Sequence, residues 1–457
     1  MKNIALALGP ILAAIVAALL YNQGFAEPAL WAAAVTVLCA TWWVLEPIPI
    51  PVTSLIPIAV FPMTGVLTSA QVGQSVSHPV ILLLMGGFML SKAMEKSGTH
   101  RRLALNMVNL FGGGGRPLVF GFMAASAILS MWISNTATVL MLLPIALAVL
   151  EQSNDRRLSI ALLLGIAYAG SVGGMGTPIG TPPNLIFNTV YAENFGSELT
   201  FPEWMSFAIP VVILFVPIIG LWLTRNLKHT ETLVLPDPGV WRTEEIRTLS
   251  VFALTALAWT TRKLPGDNGW SAWLGLEGAN DASVAFLAVI TMFLIPNGNG
   301  KGEKLLDWET AVKIPWGLLL LFGGGVCIAT AFTATGISEA LGDFLANYVE
   351  QLPLFGLVLL ICFSVTFLTE MTSNTATTVL LMPILAAAAI SAGIDPKLIM
   401  VPAAMTASCA FMLPVATGPN AVVFGSDRIP IKVMAKEGFA LNLMGVVIVA
   451  TTTYFLL

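Results

Sequence analysis

Long apolar runs, separated by short polar or Gly/Pro-rich segments, follow one another along almost the whole chain. A run of about 20 apolar residues is long enough to cross a bilayer as a helix. This pattern is typical of an all-α polytopic membrane protein. It predicts about eleven transmembrane helices, at residues 4–22, 29–46, 52–68, 77–95, 157–191, 204–224, 247–261, 282–296, 314–335, 396–424 and 433–456.

Two further apolar runs, 117–150 and 353–391, are too long for one crossing. Each contains the pentapeptide Ser-Asn-Thr-Ala-Thr near its middle, at 134–138 and again at 373–377. Ser, Asn and Thr side chains bond to nearby backbone groups and so favour a helix break. We therefore predict two re-entrant helical hairpins, each entering and leaving on one side. Non-helical backbone at membrane depth is tolerated inside protein or beside a water-filled cavity.

The basic residues support this topology. If the N-terminus is cytoplasmic and both hairpins are re-entrant, all but three of the 21 lysines and arginines lie on the cytoplasmic side. The exceptions are Arg262, Lys263 and Lys397. Such a bias is the one expected for the inner (plasma) membrane of a cell, and it places the C-terminus outside.

Composition excludes several classes of function. The chain of 457 residues is 56% hydrophobic and 10% charged, whereas soluble domains are about 25% charged. It has no Gly-Lys-Ser/Thr phosphate loop for an ATP-driven pump and no basic tract for nucleic acid. The four cysteines have no paired spacing, and the apolar segments offer no nucleophile with a base, so we do not expect an enzyme.

Similarity between the two halves extends beyond the pentapeptide. Residues 84–98 resemble 321–336, and the cluster at 180–184 resembles that at 416–420. An odd number of predicted crossings separates equivalent points, so the halves form inverted repeats. In secondary transporters with this arrangement the site lies at the repeat interface, near the midplane.

The predicted helix breaks have the chemistry of an ion site. Residues 134–135 and 373–374 supply neutral side-chain oxygens, which bind a hard monovalent cation without a full negative charge. The prolines in 181–183 cannot continue a helix, and they leave carbonyl groups around Gly180 without helical partners. Ala416 precedes a break of the same kind.

Positive charge is missing from the same regions. No Lys or Arg occurs in 117–155, 158–224, 314–396 or 398–427. A carboxylate bound there must be compensated by half-helix N-termini and by cations that bind with it. Two equivalent cation sites suit a divalent anion.

On these residues the chain resembles the divalent anion:sodium symporter family. The resemblance rests on both Ser-Asn-Thr motifs, on 308–325, and on 408–420, which resembles the family signature Ser-x-x-Phe-x-x-Pro-hydrophobic-small-x-x-x-Asn. It implies a homodimer of elevator-type transporters, in which a transport domain slides against a scaffold. The implied scaffold is 1–112 and 231–346, where the second part begins with a cytoplasmic linker, and the implied transport domain is 113–230 and 347–457.

The resemblance also implies site residues. The first sodium site would use Ser130, Ser134, Asn135 and Gly180, and the second Thr369, Thr372, Asn374 and Ala416. The anion would contact Ser134, Asn135, Thr136, Pro182, Ser373, Asn374, Thr375 and Thr417.

The expected activity is import of C4-dicarboxylates (succinate, malate, fumarate) with two or more Na⁺ ions. The alternatives are a citrate or sulfate symporter, an anion exchanger or proton-coupled carrier of this fold, and an ion channel. Glu370, whose counterpart is Met131, has either a proton or cation role or a structural hydrogen bond. Gly418 replaces the proline of the first repeat, Pro182, and is expected to loosen the second wall.

Overall fold

The computed structural model describes residues 2–227, 232–263, 268–276, 278–342 and 353–457. Within these ranges the chain is helical, and its β-structure is limited to two isolated bridges. The predicted domain boundaries after 230 and after 346 lie outside the described residues.

The described helices up to residue 227 are α1 (Lys2–Asn22), α2 (Glu27–Leu45), α3 (Ile50–Thr53), α4 (Leu55–Met63), α5 (Ser69–Val76), α6 (Pro79–Ser97), α7 (Thr99–Phe111), α8 (Gly115–Ser130), α9 (Asn135–Leu150), α10 (Arg156–Gly173), α11 (Pro182–Phe195) and α12 (Phe201–Thr224). Those after residue 231 are α13 (Thr243–Thr261), α14 (Trp270–Trp273), α15 (Asp281–Leu294), α16 (Trp308–Ala311), α17 (Trp316–Ala334), α18 (Leu354–Thr369), α19 (Asn374–Ala392), α20 (Pro396–Thr406), α21 (Gly418–Phe424) and α22 (Ile431–Leu456). Eight of the described helical segments are long and apolar enough to cross a membrane.

The third predicted span, 52–68, is not one helix. The structure divides it into α3 and α4 at Ser54, whose hydroxyl donates to the Ile50 carbonyl at 2.8 Å and accepts from the Trp43 indole at 3.0 Å. A serine that bonds back to the preceding turn bends or interrupts a helix. Helix α7 was not predicted, because its mixed polar and apolar residues form no continuous apolar run.

Both Ser-Asn-Thr segments interrupt their helices, as predicted. We call α8 with α9 hairpin 1, and α18 with α19 hairpin 2. Each arm of hairpin 1 has 16 residues, about 24 Å of helix, which is less than the roughly 30 Å of bilayer hydrocarbon. Gly113 and Gln152, at the two ends of hairpin 1, both hydrogen-bond to residues 233–234. The arms therefore begin and end at the same end of the molecule.

The spans predicted at 157–191 and 396–424 are both broken in the middle. In the first, α10 is followed by a 3₁₀ turn, Gly174–Gly176, and α11 begins only at Pro182. In the second, residues 407–417 separate α20 from α21. Helix α10 lies at the centre of the fold: 94% of its span is buried, against 17% for α1.

Candidate functional site

The two hairpin turns have the same sequence and different local hydrogen bonds. In hairpin 1 the Ser134 hydroxyl caps α9 by accepting from the Ala137 N–H at 3.2 Å. In hairpin 2 Ser373 makes no such cap. There the hydroxyls of Thr372 and Thr377 bond to each other at 2.6 Å. The repeated pentapeptide therefore does not give identical turns.

An asparagine holds the non-helical backbone of each broken span. The Asn184 amide donates to carbonyls within 174–177, at 3.1, 3.3 and 2.8 Å. The Asn420 amide donates to the carbonyls of Ala410 and Leu413, at 2.9 and 3.0 Å. This role was not predicted. The signal for it is that both asparagines stand two positions after the first residue of their Pro-Pro or Gly-Pro pair.

A cavity of about 360 Å³ lies between the two hairpin turns and the two broken spans. All of the residues predicted to contact the anion are in its wall: Ser134, Asn135, Thr136, Pro182, Ser373, Asn374, Thr375 and Thr417. Opposite them, α6 contributes Leu84 and Phe88, and Pro315 and Leu318 come from the start of α17. None of the described residues in this wall carries a charge.

Besides α17, four helices of the hairpins and broken spans begin in this wall. The first turns of α9, α11, α19 and α21 all contribute residues to it. The free N–H groups and the helix dipole make a helix N-terminus attractive to anions. The cavity can therefore attract an anion without a fixed cationic side chain.

The first predicted sodium site is brought together by three elements. The Ser130 hydroxyl, in α8, donates to Asn135 Oδ1 at 2.6 Å. A Cβ atom on Gly174 would lie 2.5 Å from the same Oδ1, so this position requires glycine. A Cβ atom on Gly180 would lie 2.4 Å from the Gly174 carbonyl oxygen. Ser134, Asn135 and Gly180 line the cavity, and Ser130 lies behind it.

The second predicted site is arranged differently. Asn374 and Ala416 line the cavity. The Thr369 and Thr372 hydroxyls donate to carbonyls of α18, at 3.1 and 2.9 Å, and neither residue is in the wall. Ser130, Thr369 and Thr372 thus form a layer behind the cavity.

Two buried oxygens of the cavity wall have no hydrogen-bond partner in the described part of the chain: Asn374 Oδ1 and Ser171 Oγ. A buried polar atom without a partner costs about 1–3 kcal/mol. A cation or hydrogen-bond donor that binds in the cavity would remove this penalty. Neutral amide, hydroxyl and carbonyl oxygens are ligands that suit Na⁺. Ser171 was not predicted as a site residue.

Gly418 does not loosen the wall, contrary to the expectation. A Cβ atom on this residue would lie 2.1 Å from the Thr136 hydroxyl oxygen. The absence of a side chain therefore lets α21 approach the turn of hairpin 1 closely. This contact joins the second half of the chain to the first.

Comparisons with known proteins show the family of this chain. A family model described as "Citrate transporter" matches residues 40–410. The sodium-dependent dicarboxylate transporter SdcS of Staphylococcus aureus is 38% identical, over 99% of this chain and 91% of that protein. The SdcS protein of Staphylococcus saprophyticus is 37% identical over the same shares.

Two solved structures share the fold. The YdaH transporter of Alcanivorax borkumensis aligns with a TM-score of 0.59 at 14% identity, covering 86% of this chain and 87% of that one. MtrF of Neisseria gonorrhoeae, described with a class of antimetabolite efflux pumps, aligns with a TM-score of 0.61 at 13% identity, covering 87% and 84%. At these identities the likeness concerns the fold alone.

Proposed function

This chain belongs to the citrate transporter family, and from that premise we propose that it imports C4-dicarboxylates such as succinate, malate and fumarate by Na⁺ symport. The relatives named sodium-dependent dicarboxylate transporters, similar over nearly the whole chain, support this assignment. The observation that carries it is the cavity: four helices of the hairpins and broken spans begin in its wall, and none of its described residues is charged.

The charge of the substrate explains the coupling. A dicarboxylate in this cavity finds helix N-termini and neutral oxygens, and an uncompensated buried charge is costly. Two Na⁺ ions at the hairpin turns would neutralise the dianion. The fully loaded site would then cross the membrane as a neutral unit, whereas a partly loaded one would carry net charge. This difference in net charge couples the Na⁺ gradient to the dicarboxylate gradient.

The proposed cation ligands are the predicted ones. The first ion would use Ser130, Ser134, Asn135 and the backbone near Gly180. The second would use Thr369, Thr372, Asn374 and the backbone near Ala416. The contact of Ser130 with Asn135 and the unpartnered Asn374 oxygen support these sets. The anion would then contact the eight wall residues named above.

We further propose an elevator mechanism. The hairpins, the broken spans, α12 and α22 would form the transport domain, and α6 and α17 would belong to the scaffold. The cavity lies between these two groups of helices, which supports movement of one past the other. The proposal includes eleven spans in inverted repeats, a homodimer, and an inner (plasma) membrane location with a cytoplasmic N-terminus and an external C-terminus.

Uptake by proteoliposomes tests the function. Succinate uptake should require an inward Na⁺ gradient and should not follow an equal K⁺ gradient. Asn135→Ala and Asn374→Ala should each lower uptake at least tenfold, the loss expected for a hydrogen bond or ligand to a charged group, which is worth about 1.5–3 kcal/mol. Asn194→Ala is the matched control, because the Asn194 amide bonds within α11, to the Val190 carbonyl, and is not in the wall.

The alternatives have distinct outcomes. Uptake that is indifferent to Na⁺ would indicate an exchanger or a proton-coupled carrier. Current that rises without saturation would indicate a channel. If citrate or sulfate is transported faster than succinate with the same Na⁺ requirement, the proposed substrate is wrong and the proposed Na⁺ symport still holds.

A further inference from the structure

Glu370 is a buried carboxylate directly before the turn of hairpin 2. It is 3% exposed. Its Oε1 atom accepts from the Met412 N–H at 2.8 Å and from the Asn442 amide at 2.7 Å, and its Oε2 atom accepts from the Leu413 N–H at 3.0 Å. These three partners are all neutral donors, and together they occupy both carboxyl oxygens.

Glu370 and Asn442 together hold the backbone that follows α20. Asn442 Oδ1 accepts from the Phe411 N–H at 3.2 Å. Three consecutive N–H groups, 411 to 413, are therefore bonded to these two side chains. Buried backbone N–H groups outside a helix need such partners. The segment leads directly to Ala416 and Thr417, which line the cavity.

The first half has an apolar side chain at the equivalent place. Met131 and Glu370 each stand three positions before the serine of their motif. Met131 packs against the non-helical part of the first broken span, where a Cβ atom on Gly176 would lie 2.9 Å from the Met131 methyl carbon. The Thr177 hydroxyl donates to the Met131 carbonyl at 2.5 Å. The two halves therefore differ by one buried carboxyl group.

We infer that Glu370 is a positioning residue that makes the two cation sites unequal, so that the site of hairpin 2 binds Na⁺ more tightly than the site of hairpin 1. The inference rests on the proposed function. Glu370 fixes the backbone that leads to Ala416, and it stands in the same turn as Thr369 and Thr372. In its ionised form the carboxylate would attract a cation bound in that turn. Its oxygens are occupied by donors, so it acts beside the ion and does not ligate it.

The first test uses the matched pair of asparagines. Purified protein is titrated with Na⁺ in the absence of any anion, and thermal stability is measured, because a bound ligand stabilises the folded state. Wild-type protein should show two steps of unequal affinity. The tighter step should disappear in Asn374→Ala and persist in Asn135→Ala. Loss of the tighter step in Asn135→Ala instead, or a single step in wild type, would overturn the inference.

The second test changes the charge itself. Glu370→Gln should raise the Na⁺ concentration at the midpoint of the tighter step about tenfold, the effect of one lost charge at intermediate range. Met131→Gln, the matched control, should change either midpoint less than about twofold. Glu370→Asp keeps the charge and should recover most of the affinity.

The outcomes separate this inference from the proposed function. A Glu370→Gln variant that melts earlier but binds Na⁺ as wild type does would show that Glu370 only holds the backbone. An equal loss of affinity in Glu370→Asp and Glu370→Gln would assign the effect to side-chain length. If wild-type protein neither binds Na⁺ nor takes up succinate with it, the proposed function itself fails. If Glu370→Gln does not fold, the asparagine pair still shows whether hairpin 2 holds the tighter site, and the inference fails if it does not.

Discussion

Gly418 shows how one missing side chain shapes the site. It begins α21, where the first repeat has Pro182 at the start of α11. Its Cβ position is occupied by the Thr136 hydroxyl, across the cavity wall. Interiors are close-packed, so an added methyl group there must displace a neighbour. The residue displaced is one of the predicted anion contacts.

Gly418→Ala should therefore raise the KM for succinate about tenfold, because a shift of this size in a binding group costs roughly 1–3 kcal/mol. Uptake kinetics at saturating Na⁺ measure it. Gly425→Ala, at the other end of α21, is the control, since its Cβ atom would make only ordinary contacts with the Ala421 and Val422 carbonyl oxygens, at 3.4 and 3.5 Å. Equal KM values for both variants would show that Thr136 does not contact the anion.

Asn184 and Asn420 hold the broken spans through their amide donors. Asn184→Asp keeps the shape and removes the donors, which leaves buried carbonyls without partners at a cost of about 1–3 kcal/mol. Thermal unfolding should show a large loss of stability for Asn184→Asp, and a smaller one for Asn420→Asp, which loses fewer bonds. Asn194→Asp, on the side of α11, should change the thermal stability little. If Asn184→Asp leaves the thermal stability unchanged, Asn184 does not hold the broken span in this way.

At the level of whole helices, the hairpin arms are shorter than the longest described spans. The arms α8, α9 and α18 have 16 residues each and α19 has 19, whereas α12 has 24 and α22 has 26. If the hairpins are re-entrant, as predicted, each arm has to reach only the middle of the membrane. The turns between them then stay inside protein, where their free backbone groups find the partners described above.

Helix α16 is joined to the end of α6 by an ion pair outside the spans. Asp307 caps α16 by accepting from the Thr310 N–H at 2.7 Å, and its carboxylate lies 2.5 Å from the Lys96 ammonium group. The Lys96 hydrogen bond, followed by that of the Thr310 N–H, lowers the pKa of Asp307 to about 2. The Asp307 side chain is 46% exposed, so solvent screens much of this interaction.

The lowered pKa of Asp307 gives the sign of a pH effect. An unfolded aspartate has a pKa of about 3.9, so folding favours the ionised form. The resulting stabilisation is complete above that value and is lost as the pH falls through the folded pKa of about 2. Asp307→Asn should lower the thermal stability at pH 7 by less than about 1 kcal/mol.

The difference in thermal stability between wild type and Asp307→Asn should become smaller as the pH approaches 2. Glu309→Gln, in the same helix, removes a carboxylate that is 88% exposed and 3.7 Å from Lys313. It should leave thermal stability unchanged. If the difference in thermal stability between wild type and Asp307→Asn stays constant with pH, the ion pair is not formed.

Across the whole molecule, the two proposed domains are in contact at one end of α17 and separated by the cavity at the other. Pro315 and Leu318, at the start of α17, line the cavity. Near its end, the Thr330 hydroxyl donates to the Glu193 carboxylate of α11 at 3.0 Å and lies 3.3 Å from the Ser75 hydroxyl. With the predicted orientation, this is a conformation closed towards the outside.

Cross-linking tests whether this contact must open during transport. A Glu193→Cys/Thr330→Cys pair joined by a short bis-methanethiosulfonate, which forms a disulfide with each cysteine, should abolish succinate uptake, and reduction of these disulfides should restore it. The four native cysteines are buried, and each single variant with reagent is the control. A fully cross-linked pair that still transports would show that α11 and α17 move together, which would contradict the elevator mechanism.

The sequence alone determined the membrane class and both helix breaks, and the family resemblance added the eight predicted anion contacts that line the cavity. These features depend on local chemistry: apolar length sets a span, and Ser, Asn, Gly and Pro interrupt a helix wherever they cluster. The repeated pentapeptide also identified equivalent positions without any structure.

Only the tertiary structure decided what each break contacts. The division of 52–68 at Ser54, the carbonyls held by Asn184 and Asn420, the approach of Gly418 to Thr136 and the clamp made by Glu370 all depend on contacts beyond a single helical turn. A pattern of residue types cannot reveal such pairs, because the partner is set by how the elements pack. For the same reason, two identical Ser-Asn-Thr turns acquire different surroundings.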